Sequence, residues 1–282
     1  MYASQLINIG SKSLKNKKIL SHQIDTEIIL SHILCISREQ LLIHDKKIQK
    51  NTFTKFKSLI SRRLRNEPIA YIINKKEFRS QNLYVDNNSL IPRPETELLI
   101  DPIVEKFKNK KLFFLDIGVG SGCIISSILR ELPNSFGVGI DISRNALLNA
   151  HKNLNYKNIN NRYKLYHKSA DQIHNKIFDL IISNPPYIVK RDLERLDDDI
   201  KKFEPRSALD GGNDGLDVIK KIIYKSKYIL KLNGILALEI GNGQYLSVRN
   251  ILKKNNFRVE QIIKDYKNNV RCIISTLLKK NW

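Results

Sequence analysis

The tetrapeptide Asn184-Pro185-Pro186-Tyr187 directly follows an apolar run, residues 179–183, that is typical of a buried strand. The strand must end there, because neither proline has an N–H group to donate to a sheet. The Asn184 side-chain oxygen and a proline carbonyl both accept hydrogen bonds, so together they could hold both hydrogens of a planar NH2 group. The prolines would fix these acceptors before a substrate arrives, and Tyr187 could pack on a flat group. The motif therefore predicts a site that orients a planar amino group.

A glycine-rich loop follows an earlier apolar strand, residues 111–117. Its sequence is Gly118-Val119-Gly120-Ser121-Gly122, and a helix is predicted directly after it. Glycines let the backbone turn tightly and let a ligand approach, while the N-terminus of the helix offers free N–H groups. The spacing is GxGxG rather than the GxGxxG of dinucleotide sites, and the loop lacks the GK[ST] of a P-loop. A tight strand-to-helix turn without a ligand is the alternative interpretation.

An acidic residue, Asp141, ends the next predicted strand, residues 136–140. It lies about 20 residues beyond the glycine loop, where an acid on a neighbouring strand can hold both ribose hydroxyls of a nucleoside. Alternatively, Asp141 only caps the helix that follows. Taken together, the loop and the acid favour a nucleoside cofactor, and S-adenosylmethionine fits better than NAD because no pyrophosphate-type loop is present. Asn184 would then hold a nitrogen in line with an electrophilic methyl group.

The elements that position these residues fall into consecutive parts of the chain. Residues 1–75 show helical spacing of apolar residues and no strand pattern, so they predict a small helical domain, with Asp25 as a candidate N-cap. Residues 76–97 predict a connector that contains a possible short hairpin and a stiff Pro-Arg-Pro segment. Residues 98–282 alternate strands with helices and end in a predicted hairpin. This alternation indicates an α/β fold with a parallel sheet covered on both faces.

Composition and charge limit the class of protein. The 282 residues are 41% hydrophobic and 27% charged, which is ordinary for a globular chain. No apolar run has the length of a membrane span, and the first residues lack a secretory signal. The isolated cysteines, Cys35, Cys123 and Cys272, fit a reducing cytoplasm. The net charge of +21 fits an anionic partner such as nucleic acid, and it equally fits compositional drift in a chain rich in Lys, Asn and Ile.

Several stretches together resemble the peptide-chain release factor glutamine N5-methyltransferases (PrmC/HemK), and the resemblance covers nearly the whole chain. The stretches are residues 66–71 (Asn-Glu-Pro-Ile-Ala-Tyr), 90–97 (Leu-Ile-Pro-Arg-Pro-Glu-Thr-Glu), 118–122, 184–187 and 203–209 (Phe-Glu-Pro-Arg-Ser-Ala-Leu). The Asn-Pro-Pro-Tyr motif is shared with adenine and other amino-methyltransferases. Residues 90–97 and 203–209 are much more specific to the release-factor branch.

The resemblance implies a fold, a reaction and a set of site residues. The fold is a Rossmann-like S-adenosylmethionine-dependent methyltransferase domain with a small N-terminal helical domain that helps bind the release factor. The reaction moves a methyl group to the side-chain amide nitrogen of the Gln in the Gly-Gly-Gln motif of class 1 peptide-chain release factors. The implied cofactor-binding residues are Gly118, Val119, Gly120, Ser121, Gly122, Asp141 and Asn184. Asn184 would also orient the glutamine amide, with Pro185, Pro186 and Tyr187 completing the pocket; Asn184, Pro185 and Tyr187 are the catalytic candidates. No metal is implied.

The chain departs from the family pattern in two places. Asn66 and Asn74 stand where the family usually has glycine, which would alter turns near the connector. The family's acidic-plus-aromatic contact to adenine is not clear in residues 168–171, where Asp171 is the candidate. Neither departure touches the chemistry of the Asn-Pro-Pro-Tyr motif.

Two other classes of function remain open from the sequence. An N6-adenine or other nucleic-acid amino-methyltransferase would use the same Asn-Pro-Pro-Tyr motif and would suit the positive charge. An enzyme that acts on duplex DNA must flip its base and usually carries a target-recognition domain, and the sequence shows no such insertion. A ribosome- or RNA-binding module that has lost catalysis would not need intact glycine, acid and Asn-Pro-Pro-Tyr motifs.

Overall fold

A computed structural model of the chain describes residues 1–155, 159, 161–174 and 177–279. Its α-helices are α1 (Ala3–Asn16), α2 (His22–Leu34), α3 (Arg38–Ile43), α4 (Lys50–Leu64), α5 (Ile69–Ile72), α6 (Pro94–Glu97), α7 (Ile100–Phe107), α8 (Cys123–Glu131), α9 (Arg144–Leu154), α10 (Asp198–Phe203), α11 (Asp217–Ile229) and α12 (Tyr245–Lys254). Its β-strands are β1 (Lys76–Phe78), β2 (Gln81–Leu83), β3 (Leu112–Ile117), β4 (Ser135–Asp141), β5 (Tyr163–His167), β6 (Phe178–Ser183), β7 (Leu230–Glu239), β8 (Phe257–Lys264) and β9 (Val270–Leu277).

Contacts between residues divide the chain into two compact units. The first comprises Met1–Lys75 together with Asp197–Phe203, so it holds α1 to α5 and α10. The second comprises Lys76–Leu196 and the chain from Glu204 onward, which includes the hairpin of β1 and β2. None of the helices in the described part of the chain is long and apolar enough to cross a membrane.

The first unit is a helical bundle whose core comes from residues three or four apart on α1, α2 and α4. Leu6, Leu14, Ile29, Leu30 and Phe56 are among its buried side chains.

The prediction that Asp25 caps α2 is wrong. The helix begins at His22, with Ser21 in the N-cap position. Asp25 is buried in the first turn and accepts a hydrogen bond from Arg63 Nε at 2.7 Å. The Ser21 hydroxyl also donates to Asp25 Oδ2, at 2.8 Å, so this carboxylate is satisfied by a tertiary ion pair together with the side chain of the N-cap residue.

Asn66 and Asn74, the two asparagines at positions where glycine is usual in the family, both have left-handed backbones. Their φ angles are 67° and 52°. Asparagine tolerates this conformation better than most residues because its short polar side chain can bond locally. Both turns in the first unit therefore keep the conformation that glycine would allow.

The second unit is built on a sheet with the strand order β5-β4-β3-β6-β7-β9-β8. The strands from β5 to β7 pair in parallel, while β9 pairs antiparallel with both β7 and β8. The chain moves outward in one direction from β3 to β5 and in the other from β6 to β7. The strand order therefore reverses between β3 and β6, and the crevice at such a switch point is where α/β sheets bind ligands.

Alternate residues of the central strands are buried on opposite faces of this sheet. Phe114 and Leu180 pack with the helices α7 and α8, whereas Leu115 and Ile181 pack with α11 and α12. Both faces are covered by helices, as expected for a mostly parallel sheet. The predicted α/β class, with a helical N-terminal part, is confirmed.

Candidate active site

The register of three parallel strands brings the predicted site residues to one edge of the sheet. Ile117 at the end of β3 pairs with Ile140 in β4 and with Ser183 in β6. The next residues along these strands are Gly118, Asp141 and Asn184, so all three motifs lie together at the carboxyl ends of the strands.

A cavity of about 300 Å³ opens at this edge and lies within the second unit. Its volume is at the lower end of the range for small-molecule and cofactor sites, about 300–1,000 Å³. The predicted residues that line it are Gly118, Val119, Gly120, Ser121, Asp141, Asp171, Asn184, Pro185 and Pro186. Gly122 and Tyr187, which were also predicted, are not among its lining residues.

The glycine loop turns the chain from β3 into α8 and leaves room on its cavity side. Gly118 and Gly120 both have positive φ angles, 74° and 53°. A Cβ atom built on Gly118 would meet no atom within 4 Å, and one on Gly120 would meet only the Gly118 carbonyl at 3.9 Å. Side chains at these positions would therefore fill open space that a bound molecule can use.

Gly122 serves packing rather than the cavity. Its φ angle is 81°, and a Cβ atom at this position would lie 3.2 Å from the Cα atom of Ala150 in α9. The glycine therefore lets the start of α8 approach α9 closely.

Asp141 is held by backbone N–H groups on both carboxylate oxygens. Oδ2 accepts from Gly120 N at 3.0 Å, and Oδ1 accepts from Ser143 N at 2.8 Å. Burial raises the pKa of Asp141, although these hydrogen bonds act in the opposite direction. Ser143 caps α9, because its side chain accepts from Ala146 N at 3.2 Å. Each Asp141 oxygen keeps acceptor capacity for a further donor.

Asp171 is more exposed than Asp141. It sits in a 3-10 helix, Ala170–Gln172, and its side chain is exposed at the cavity wall.

The Asn184 amide is bound at one end. Its Nδ2 donates to the Thr96 hydroxyl at 2.9 Å. Within the described part of the chain, no residue donates to Asn184 Oδ1 or to the Pro185 carbonyl oxygen. Two acceptors at the cavity wall are therefore available to a ligand with an NH2 group.

Tyr187 faces away from the cavity, toward the sheet. Its hydroxyl donates to Glu239 Oε1 at 3.2 Å and accepts from Arg271 Nη2 at 3.1 Å. Burial and the neighbouring Glu239 raise the pKa of Tyr187 to about 12, so the hydroxyl keeps its proton at neutral pH. In this position Tyr187 connects the Asn-Pro-Pro-Tyr turn to Glu239 of β7 and Arg271 of β9.

Sequence reasoning missed three residues that bind this turn: Thr96, Glu239 and Arg271. Glu239 is fully buried, and its Oε2 accepts from the Thr96 hydroxyl at 2.6 Å. The one local signal was a carboxylate at the end of an otherwise apolar strand, residues 234–240. Thr96 gave no signal of its own within the first turn of a predicted helix.

Sequence reasoning also missed Asp116, the single acidic residue of β3. It is buried, and its Oδ2 accepts from Ile125 N at 3.2 Å, in the first turn of α8. Burial raises the pKa of Asp116 to about 8. This carboxyl therefore joins the end of β3 to the first turn of α8, the two elements that the glycine loop connects.

An ion pair joins the two stretches that resemble the release-factor branch most specifically. Arg93 Nη2 lies 2.5 Å from Glu204 Oε1, and both residues belong to the second unit. Pro92, Arg93 and Pro205 line the cavity. The stretches 90–97 and 203–209 are thus held together at the mouth of the same cavity.

Comparison with protein families matches two models. Residues 5–73 match the PrmC N-terminal domain, and residues 94–199 match the methyltransferase small domain. The first match coincides with the helical unit, and the second includes the glycine loop, Asp141 and Asn184.

Full-length relatives decide the family. A release factor glutamine methyltransferase of Thermodesulfovibrio yellowstonii is 37% identical over 86% of this chain and 88% of that protein. The enzyme of the same name from Buchnera aphidicola subsp. Acyrthosiphon pisum is 36% identical over 95% of this chain and 98% of that protein. The chain belongs to the release factor glutamine methyltransferase family. The predicted family and enzyme class are therefore confirmed, and S-adenosylmethionine is the cofactor of this methyltransferase.

A solved structure agrees with the fold. The crystal structure of a methyltransferase from Pyrococcus furiosus superposes with a TM-score of 0.54 at 18% identity, covering 78% of this chain and 98% of that chain.

The residues at the cavity fit S-adenosylmethionine. The glycine loop leaves open space beside it, as a bound nucleoside requires, and the paired oxygens of Asp141 suit two ribose hydroxyls. The apolar side chains Ile140, Ile142 and Ile222 line the same cavity and suit a flat base. Asn184 stands beside this space at the neighbouring strand end.

Proposed function

We propose that this protein transfers a methyl group from S-adenosylmethionine to the side-chain amide nitrogen of the Gln in the Gly-Gly-Gln motif of class 1 peptide-chain release factors. The observation that carries the proposal is the Asn184 amide, whose nitrogen is bound to Thr96 and whose oxygen is left for a ligand at the cavity. Membership of the family supports the choice of substrate.

Asn184 and Pro185 would position the glutamine nitrogen. An amide nitrogen is a poor nucleophile, because its lone pair is delocalised into the carbonyl. Asn184 Oδ1 and the Pro185 carbonyl would accept one hydrogen each, which fixes the plane of the NH2 group and its distance from the donor. As positive charge develops on the nitrogen, both hydrogen bonds strengthen, and they lower the barrier for this reason. The bound S-adenosylmethionine supplies the electrophilic methyl group.

The remaining site residues have supporting roles in this proposal. Asp141 would hold the ribose hydroxyls, and residues 118–122 would pass under the cofactor. Asp171 would contact the adenine from the exposed side. Pro186 would limit the pocket beside the glutamine, and Tyr187 would support the turn through Glu239.

The release factor is the proposed protein partner, and residues 1–75 are the part of the chain that we assign to binding it. The match of residues 5–73 to the PrmC N-terminal domain supports this assignment. We place the reaction in the cytoplasm, where the free thiols of Cys35, Cys123 and Cys272 would stay reduced.

The test is methyl transfer from labelled S-adenosylmethionine to a purified release factor. A release factor whose Gly-Gly-Gln glutamine is replaced by alanine serves as the matched control, and DNA and rRNA serve as parallel acceptors. We expect label on the intact factor alone. Label on nucleic acid alone would overturn the proposed substrate in favour of a nucleic-acid amino-methyltransferase, and equal label on the glutamine variant would overturn the proposed acceptor atom.

A further inference from the structure

One buried carboxylate is connected to both polar ends of the Asn-Pro-Pro-Tyr turn. Glu239 Oε2 accepts from the Thr96 hydroxyl at 2.6 Å, and Thr96 in turn accepts from Asn184 Nδ2 at 2.9 Å. Glu239 Oε1 accepts from the Tyr187 hydroxyl at 3.2 Å. Glu239 and Thr96 are both at least 99% buried, with exposed fractions of 0% and 1%, so water does not compete for these bonds.

Two ionic groups, the Arg271 guanidinium and the Glu239 carboxylate, set which group donates in each of these hydrogen bonds. The Arg271 guanidinium has no acceptor, so its bond to the Tyr187 hydroxyl leaves the single phenol proton for Glu239. An ionised carboxylate has no proton, so the Thr96 hydroxyl must donate to it. The Thr96 oxygen can then only accept from Asn184, so the group it pairs with must be the donor, Nδ2.

The amide of asparagine is nearly symmetric in shape, and packing alone would allow it to rotate by half a turn. The rotated amide would present its NH2 group to the cavity, where it would face the NH2 group of a substrate. Two donors would then oppose one another at the reacting nitrogen. The catalytic orientation therefore needs a group that distinguishes the two ends of the Asn184 amide.

We propose that ionised Glu239, acting through the Thr96 hydroxyl, is the positioning group that keeps Asn184 Oδ1 directed at the substrate amide. Thr96 lines the cavity and Glu239 does not, and both act in this arrangement through Asn184 rather than on the reacting atoms. The inference rests on the proposed function for the identity of the amino group, and it assigns to the threonine of residues 90–97 a role in the reaction.

Burial is the strongest influence on Glu239, and on balance its pKa is raised above the usual value of a glutamate. Burial and the nearby Glu95 raise the pKa of Glu239, while the hydrogen bonds from Thr96 and Tyr187 and the charge of Arg271 lower it. Arg271 Nη2 lies 4.0 Å from Glu239 Oε1, and this guanidinium is the cation that faces the carboxylate from β9. A protonated Glu239 could donate to Thr96 and reverse the chain of bonds.

Three variants test the inference with turnover measured per cofactor-binding molecule. Thr96→Val removes the hydroxyl at constant volume, and Glu239→Gln supplies an NH2 group that can donate to Thr96. We expect both to lower kcat at least tenfold, while the Kd for S-adenosylmethionine and the KM for the release factor change by less than threefold. Thr96→Ser keeps the hydroxyl, and we expect it to retain at least half of the wild-type kcat.

Glu105→Gln, an exposed glutamate on α7, is the matched control and should leave kcat unchanged. The inference is overturned if Thr96→Ser loses as much turnover as Thr96→Val, or if Glu239→Gln turns over at the wild-type rate. It is also overturned if turnover per cofactor-binding molecule is unchanged in Thr96→Val and only the fraction of molecules that bind cofactor falls, since that result shows a purely structural role.

The wild-type protein separates this inference from the proposed function. If it methylates nucleic acid and not the release factor, the proposed substrate fails. The same variants are then compared with nucleic acid as the substrate. Its planar amino group needs the same two hydrogen-bond acceptors, so the positioning role is judged by the same criteria.

Discussion

The Asn184 amide has one end committed to Thr96 and the other end open to the cavity, and this asymmetry decides what the site can do. A side chain with two free ends would bind either a donor or an acceptor. With Nδ2 bonded to Thr96, Asn184 Oδ1 and the Pro185 carbonyl remain as acceptors at the cavity. The arrangement selects a ligand that brings two hydrogens on one planar nitrogen.

Replacing Asn184 by alanine should lower turnover far more than cofactor affinity. We expect kcat to fall about 100-fold or more, which is typical when one oriented hydrogen-bonding group is removed from a reacting centre. The Kd for S-adenosylmethionine, measured by calorimetry, should change by less than fivefold. A variant that loses affinity but keeps its kcat would contradict the assignment of Asn184 to the substrate.

Replacing Asp141 by alanine should weaken cofactor binding by about 10- to 100-fold, because a carboxylate with two hydroxyl partners contributes roughly 1.5–3 kcal/mol. Calorimetric titration with S-adenosylmethionine measures this. Asp214→Asn, at an exposed carboxylate paired with Lys220 outside the cavity, is the matched control. Equal affinities of the Asp141 variant and wild type would leave Asp141 as a loop-fixing residue only.

At the scale of elements, the site depends on how closely α8 and α9 approach behind the glycine loop. Gly122 is the N-cap residue of α8 and faces Ala150 of α9, whereas Gly120 lines the cavity. The two glycines therefore meet different demands, although the sequence presents them as members of one motif.

Alanine at these two positions should separate folding from binding. Gly122→Ala combines a left-handed backbone with a contact to Ala150, and we expect it to lower the free energy of unfolding by about 1–2 kcal/mol. Gly120→Ala has a left-handed backbone as well, but its methyl group meets open space in the cavity, so we expect a smaller loss of stability together with weaker cofactor binding. Urea denaturation followed by circular dichroism, together with cofactor titration, gives both quantities. If the Gly122 variant is as stable as the wild type, α9 can move enough to accommodate the added methyl group.

The sequence predicts elements well where the signal is local. Gly118, Asp141 and Asn184 each follow an apolar run, and parallel strands bring their carboxyl ends to one edge, so their proximity could be predicted. Glu239 and Thr96 could not be connected in this way, since 143 residues separate them and only the fold brings them into contact. Asp25 shows the same limit, because its local pattern suggested a helix cap and its partner is Arg63.

At the scale of the whole molecule, buried carboxyls make the stability depend on pH. Burial raises the pKa of Asp116 to about 8, whereas an unfolded Asp titrates near 3.9. Between about pH 4 and pH 8 the folded state therefore binds more protons than the unfolded state. The free energy of unfolding falls as the pH rises through this range, by up to about 1.4 kcal/mol per pH unit for one proton.

The variant Asp116→Asn should show a shallower loss of stability with rising pH than the wild type. Asparagine can still accept from Ile125 N, so the link to α8 remains. Urea denaturation at several pH values between about pH 5 and pH 8 measures the difference. Burial also raises the pKa of Asp141 and Glu239, and both remain in the variant, so the comparison isolates Asp116. Parallel curves for the two proteins would contradict its raised pKa.

The shared register of Ile117, Ile140 and Ser183 has a consequence for how such a chain can evolve. A single-codon insertion within β6 would shift Asn184 by about 3.3 Å and exchange the two faces of the strand. Surface positions carry no such restriction, and lysines can accumulate there without moving any strand end. The lineage of this protein is therefore free to change its exterior, but not the number of codons in the strands that end at the cavity.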